Sequence, residues 1–445
     1  MELSLERDLK SALEINAASR PTLAESSPIR QGNLLILGAA LVAFFVKLVI
    51  AYNTFGTNDV ASFYMFSGSL REHGLEWTYR NGVIFFSNFP VFNHPPLTAN
   101  YLQLIDYLSR NAFLQERGVT FPFLLRLPGI VADFIAVLIL IRIRDMTPQR
   151  RIPTWAMLLF ALSPVSIMVS GFHGNTDPVM AMFLVLTAYM CLLKRPVLSG
   201  IFFALSCQIK IIPLLLLPIL SFFWLNRRAA IRFTIPLLLL TTAMWIQPLV
   251  KFPMLFFRNV FFYNSYWGSW GISYWLKLTQ WSQFNGGFFN LPTAATIVAW
   301  ALKLGIVCAV LIIAWRRRHL SERALVDSFA YGWMVFFVFA PGVCPQYMVW
   351  LAPFILLFSP TMYGWFTLSS ALALFFFYNG LTAGLPWYIG IARNNADGLS
   401  QSAPWALWPW AALIAGLFYF WRRATETDPT LRLFCVETLP AERSE

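Results

Sequence analysis

A chain of 445 residues that is 58% hydrophobic and only 12% charged, with a mean hydropathy of +0.60, cannot be divided into a buried core and a wetted surface. Bilayer lipid is its solvent. The formal charge of +12 does not point to nucleic acid, because Lys and Arg fall in short clusters between apolar runs, as cytoplasmic anchors of membrane helices do.

Residues 1–33 are polar and mixed in charge, and the first apolar run has no small-residue cleavage site, so the sequence predicts a cytoplasmic tail followed by a retained first span. Apolar runs of spanning or near-spanning length follow at Leu34 to Ala51, Leu124 to Ile141, Trp155 to Ser170, Pro178 to Leu193, Phe233 to Val250, Thr293 to Ala314, Ala324 to Ala340, Tyr347 to Phe358, Met362 to Tyr378 and Trp405 to Phe420. Several are shorter than the ~20 residues that a perpendicular helix needs. Val197 to Leu225 has basic residues at both ends, Lys194 and Arg195 before it and Arg227, Arg228 and Arg232 after it, so the chain is expected to go in and come back. Gln208, Ile209, Lys210 and Pro213 supply the bend, with a cation at its tip.

The expected fold is an all-α polytopic bundle of about twelve transmembrane or re-entrant helices over residues 34–421, with a cytoplasmic tail at 422–445. The basic clusters at Arg142 to Arg151, Lys194/Arg195, Arg227 to Arg232, Arg316 to Arg323 and Arg422/Arg423 then all fall on the cytoplasmic side. Three long loops fall outside: Tyr52 to Phe123, Lys251 to Asn290 and Asn379 to Pro404. The second is rich in aromatics, including Phe256, Phe257, Phe262, Tyr263, Tyr266, Trp267, Trp270, Trp275 and Trp281, as short interfacial helices or an aromatic belt would be. Cys191, Cys207, Cys308, Cys344 and Cys435 make no metal or disulfide spacing.

In so apolar a chain, polar clusters at the outer mouths are the functional candidates. Gly56-Thr57-Asn58-Asp59 puts a carboxylate at the outer edge of the first span, where it either accepts a proton or caps an interfacial helix. Asn93-His94-Pro95-Pro96-Leu97 either fixes His94 toward a site or makes a plain turn. In Gly171-Phe172-His173-Gly174-Asn175-Thr176-Asp177-Pro178, Asp177 reads as an N-cap before a first-turn proline, whereas a short turn has no structural need of His173 or Asn175. Pro341 to Tyr347 breaks two apolar runs and offers Gln346 and Tyr347 as hydrogen-bonding groups, or serves as a proline turn. Lys47, Arg126, Asp133 and Lys303 are charges within spans. Arg126 and Asp133 lie on one helical face and are expected to neutralise another helix.

These clusters, in this order, together with the break at Gln208-Ile209-Lys210 and Trp350 after Pro345-Gln346-Tyr347, resemble the GT-C superfamily of polyprenyl-phosphate-sugar-dependent glycosyltransferases over about Leu34 to Tyr378. The likeness is to bacterial mannosyltransferases and to dolichyl-phosphate mannosyl- and glucosyltransferases. It implies an inverting hexosyltransferase, mannose first, working on the extracytoplasmic face of a bacterial inner membrane. Its partners would be a polyprenyl-phosphate sugar donor, a glycan, glycolipid or protein acceptor, and membrane lipid. Asp59 inherits the role of general base. His94, His173, Asn175, Asp177, Lys210, Gln346, Tyr347 and Arg393 are the expected substrate-binding residues, with Lys210, His173 or Arg393 facing the leaving phosphate. Many relatives carry a second acid beside the first, but here the next is Glu72, so no metal and no other cofactor is expected. A multi-pass secondary transporter or lipid-linked saccharide flippase is the alternative, because broken helices and intramembrane charge also mark substrate pathways.

Overall fold

The computed structural model describes residues 23–82, 92–146, 152–262, 270–278, 293–319, 321–383, 386–388 and 401–427. Every regular element among them is helical. In chain order the principal helices are α1 (Leu23–Asn53), α2 (Asn58–Asn81), α3 (Pro96–Ser109), α4 (Phe121–Met146), α5 (Thr154–Ala161), α6 (Asp177–Leu192), α7 (Pro196–Ile209), α8 (Leu217–Asn226), α9 (Ala230–Lys251), α10 (Thr293–Arg316), α11 (Glu322–Phe339), α12 (Met348–Phe358), α13 (Pro360–Leu381) and α14 (Leu407–Thr427). Both α1 and α14 run past the expected tail boundaries.

Among the described residues five helical segments are long and apolar enough to cross a membrane: Gln31–Asn53, Phe121–Met146, Thr154–His173, Ala230–Lys251 and Thr296–Arg316. Four more apolar segments are shorter, Asp177–Leu192, Pro196–Ile209, Ile212–Asn226 and Pro345–Phe358, so the expected count of about twelve is not reached by length and composition. The reason is burial. Residues Met348–Leu357 of α12 are all buried, so protein rather than lipid surrounds that helix and bilayer thickness does not set its length. By contrast α1, α9 and α10 turn bulky apolar side chains outward, among them Phe45, Val49, Leu238, Leu239, Leu304 and Val307. Such faces suit hydrocarbon.

The direction of the short helices follows from their ends. Glu322, the first residue of α11, pairs with Lys194 at 3.6 Å and with Arg227 at 3.4 Å. These cations flank α7 and α8, so the chain leaves that end of the bundle along α7 and returns to it along α8. Between the two helices Lys210 is extended (φ −144°, ψ 147°), and Ile212–Leu216 forms a 3-10 turn. The bend expected from Gln208-Ile209-Lys210 and Pro213 is therefore present, with Lys210 at its apex.

Much of the described part of the loop expected at Tyr52 to Phe123 is helical. Thr57 caps α2, and Pro95-Pro96 starts α3, where a proline at the first helical position loses no hydrogen bond. These helices, the end of α9 and the segment after it share a small core, which includes Val60, Phe63, Phe66, Tyr79, Phe92, Leu102, Trp245, Phe252 and Phe256. Some of the loop aromatics thus serve packing: Phe256 is fully buried and Trp270 nearly so, whereas Phe262 and Trp275 are exposed. Tyr263, Tyr266, Trp267 and Trp281 lie outside the described residues.

The intramembrane charges on α4 part company. Asp133 meets Lys47 of α1 at 2.7 Å, with Ser166 at 2.5 Å and Ser170 also donating to it. Arg126, 1% exposed, has no carboxylate partner among the described residues and donates to backbone carbonyls instead. The expectation that both charges neutralise a neighbouring helix therefore holds for Asp133 alone.

Candidate functional site

The site forms at the end of the bundle opposite Glu322, where the segment after α1 meets the segment before α6. Residues Ile167–His173 form a π-helical turn, a wider coil that swings His173 toward α2. Two glycines allow the close approach. Gly174 is left-handed (φ 81°), and a Cβ there would lie 2.3 Å from Val60 Cγ2; Gly56 (φ 97°) would place one 2.7 Å from the Phe172 carbonyl oxygen. Thr57 joins the two segments, its Oγ1 donating to the His173 carbonyl at 2.8 Å while accepting from the Asp59 amide at 3.3 Å.

Asp59, in the first turn of α2, receives its side-chain donors on one oxygen. Oδ2 lies 3.0 Å from His173 Nε2, 2.7 Å from Asn175 Nδ2 and 3.4 Å from Gln346 Nε2. No donor among the described residues reaches Oδ1. The Asp59 side chain is 30% exposed and that of His173 only 5%, so the carboxylate faces the opening and the imidazole supports it from behind. Tyr378 Oη lies 3.0 Å from His173 Nδ1. Nδ1 either accepts from the phenol or, on a protonated ring, donates to it, and in both forms the Nε2 proton points at Asp59. Desolvation pushes the Asp59 carboxyl up, but the charge and hydrogen bond of His173, then Lys210 and Asn175, pull it further down and hold it below its usual range.

Beside this group Lys210 pairs with Asp177, Nζ lying 2.8 Å from Oδ1 and 3.0 Å from Oδ2. Trp350 Nε1 donates to the same Oδ1 at 2.5 Å. The ammonium also rests over the rings of Tyr347 and Trp350, at 4.9 and 5.5 Å from their centroids. Asp177 is thus the first helical residue of α6 but not its cap. Thr176 precedes it without a side-chain capping bond, and the Asp177 carboxylate holds a cation instead.

His94 lies one step away, its ring against Phe63 and Phe92 and hydrogen-bonded to the Ile209 backbone. Burial, reinforced by Lys210, pushes its pKa down to about 3, so the ring is neutral and offers no charge to a phosphate. Cys344, near the same mouth, has its thiol pushed up to about 11 by burial and then by Asp59, which keeps it protonated. Among the described residues no three His, Cys, Asp or Glu side chains gather as metal ligands would.

Of the residues singled out in the sequence, Asp59, His173, Asn175, Asp177, Lys210, Gln346 and Tyr347 form one connected cluster, and His94 stands at its edge. Arg393 lies outside the described residues. Sequence reasoning missed Tyr378 and Thr57 as parts of the site. Tyr378 carries one legible sign, its place at the end of the span directly before Asn379-Gly380; Tyr363, Thr367, Ser369 and Ser370 put other hydroxyls in the same span.

Residues 122–341 match glycosyltransferase family 87. That segment belongs to the family. Family 87 enzymes are GT-C type membrane glycosyltransferases, so the chain works between a sugar donor and an acceptor. The family 87 segment holds His173, Asn175, Asp177 and Lys210; Asp59 and His94 precede it, and Gln346 and Tyr347 follow it. Membership favours a transferase over the transporter or flippase reading. No curated protein matches the chain.

Proposed function

We propose that this glycosyltransferase moves a hexose, mannose first and glucose second, from a polyprenyl-phosphate sugar to an acceptor hydroxyl, with inversion at the anomeric carbon and Asp59 as general base. The acceptor is a glycan, a glycolipid or a protein. The observation that carries this reading is the asymmetry of the Asp59 carboxylate: three donors fix Oδ2, and Oδ1 is left to accept a proton at a partly open mouth.

A sugar hydroxyl is too weakly acidic to attack unaided, so Oδ1 takes its proton as the acceptor oxygen bonds to the anomeric carbon. The bond from that carbon to the phosphate oxygen breaks, and its electron pair leaves with the lipid phosphate. That group departs as a stable anion and calls for positive charge rather than an acid. Lys210 supplies it: Asp177 occupies two directions of the ammonium, which has three N–H donors, and one remains for an oxyanion. His173 and Asn175 hold the base in orientation. The basic clusters gathered at the Glu322 end support a cytoplasmic assignment for that end, which leaves the Asp59 end on the extracytoplasmic face, in a bacterial inner membrane.

The test is transfer from a synthetic short-chain polyprenyl-phosphate mannose or glucose by the purified full chain, with the product's anomeric configuration read by NMR. Wild-type enzyme should invert, should keep its rate in EDTA, and should lose transfer in Asp59→Asn. Turnover by a folded Asp59→Asn protein at the wild-type rate would sink the proposal.

A further inference from the structure

We infer that Arg126 is a positioning residue that sets the contact between Asp59 and His173 from beneath the site. The inference rests on the reading of Asp59 as the base. Its ground is where the guanidinium's hydrogen bonds go. Nη2 donates to the carbonyls of Ala51 and Thr54, at 2.9 and 2.5 Å, in the last turn of α1 and just beyond it. Nη1 donates to Thr54 Oγ1 at 2.9 Å and to the carbonyls of Gly171 and Phe172 at 3.0 and 3.2 Å, in the π-helical turn. Nε returns to the Pro122 carbonyl of its own helix at 2.9 Å. One planar fork therefore grips the segment that leads into Asp59 and the segment that leads into His173.

The grip is close. A Cβ on Gly56 would lie 3.5 Å from Arg126 Nη1, and one on Gly174 would lie 3.5 Å from Arg126 Cγ. A guanidinium buried without a carboxylate is costly unless its donors are used, and here every nitrogen finds a carbonyl or hydroxyl oxygen. Those acceptors include helix-terminal carbonyls that would otherwise be orphans. Lysine, a point charge on a flexible stem, cannot span both segments in this way. Small displacements matter at such a site, because an error of about 1 Å in a reacting geometry costs on the order of 100-fold in rate.

The groups facing Asp59 define what a pH profile would read. They are His173 and Asn175 from the turn before α6, Lys210 from the bend after α7, and Gln346 before α12; Tyr378, Asp177, His94 and Cys344 stand behind them. Loosening the hold on His173 removes the largest downward pull on the Asp59 carboxyl, so the acid limb of kcat should move to higher pH.

The experiment compares full-length Arg126→Lys, Thr54→Val and Asp59→Asn proteins in nanodiscs, with kcat, donor KM, the pH profile and the melting temperature measured for each. Arg126→Lys should lower kcat by about 10- to 100-fold, leave donor KM unchanged and raise the acid limb. Thr54→Val removes one acceptor of Arg126 without touching the base, and should move both quantities the same way by less, in a protein that still folds. In a His173→Gln background Arg126→Lys should add little further loss, because the contact it sets is already gone. An inactive Asp59→Asn beside a folded Thr54→Val of wild-type kcat and pH profile overturns the inference alone. An active Asp59→Asn overturns the reading on which it rests.

Discussion

Opposite ends of the same helices use the same residue types to different effect. At the Glu322 end, Lys194 and Arg227 reach one carboxylate at 3.6 and 3.4 Å, and the Lys194 side chain is 72% exposed. Water competes for such pairs, and each is worth about 0 to 1 kcal/mol. At the other end Lys210 meets Asp177 at 2.8 Å, with side chains 13% and 0% exposed. Taking away one partner there strands a charge in a dry interior, at a cost of about 3 to 5 kcal/mol. The charges at the first end are tolerated because water reaches them, and those at the second stay only because geometry satisfies them.

Several substitutions sharpen or break this contrast. The largest effect falls on rate: Asp59→Asn should lower turnover by about 100- to 10,000-fold without shifting the melting temperature. A large loss of thermal stability in that variant would turn Asp59 into a packing residue. Asp177→Asn comes next, with about 3 to 5 kcal/mol lost in a denaturant or thermal titration, because Lys210 then lacks its counter-charge.

His173→Gln should cost less, about 10- to 100-fold in kcat, with the acid limb moved upward. The sign follows from the depressed carboxyl of Asp59: the ionised form persists above its folded pKa and is lost as pH falls through it, so removing the imidazole brings that loss to higher pH. An unmoved limb would mean that His173 does not act on Asp59. Smallest of all, Glu322→Gln should cost no more than about 1 kcal/mol and leave turnover intact. Should it cost as much as Asp177→Asn, the two ends would not differ in the way described.

The polar clusters of the site were legible because an apolar chain makes every such residue stand out. Asp59, His173, Asn175, Lys210 and Gln346 could all be picked out on that ground, and the break at Lys210 followed from basic residues at both ends of one apolar stretch. Partnerships were less legible. Asp177 and Lys210 are far apart in the chain, and Asp-Pro before a helix reads equally well as a cap, so nothing local announces the ion pair. Tyr378 was hidden for a related reason: a tyrosine at the end of a span is ordinary interfacial grammar, and only the folded chain puts its hydroxyl on His173. The span count was hard to read because hydropathy cannot separate a helix solvated by lipid from one, like α12, solvated by protein.

The packing of the α7 and α8 hairpin also constrains motion. Helix α7 lies against α6 and α9 and helix α8 against α10, so the hairpin is held along its length and not only by the exposed Glu322 pairs at its base. Any travel of the Lys210 ammonium has to come from flexure at the apex, where an extended residue and a 3-10 turn interrupt the helical ladder and leave a natural hinge.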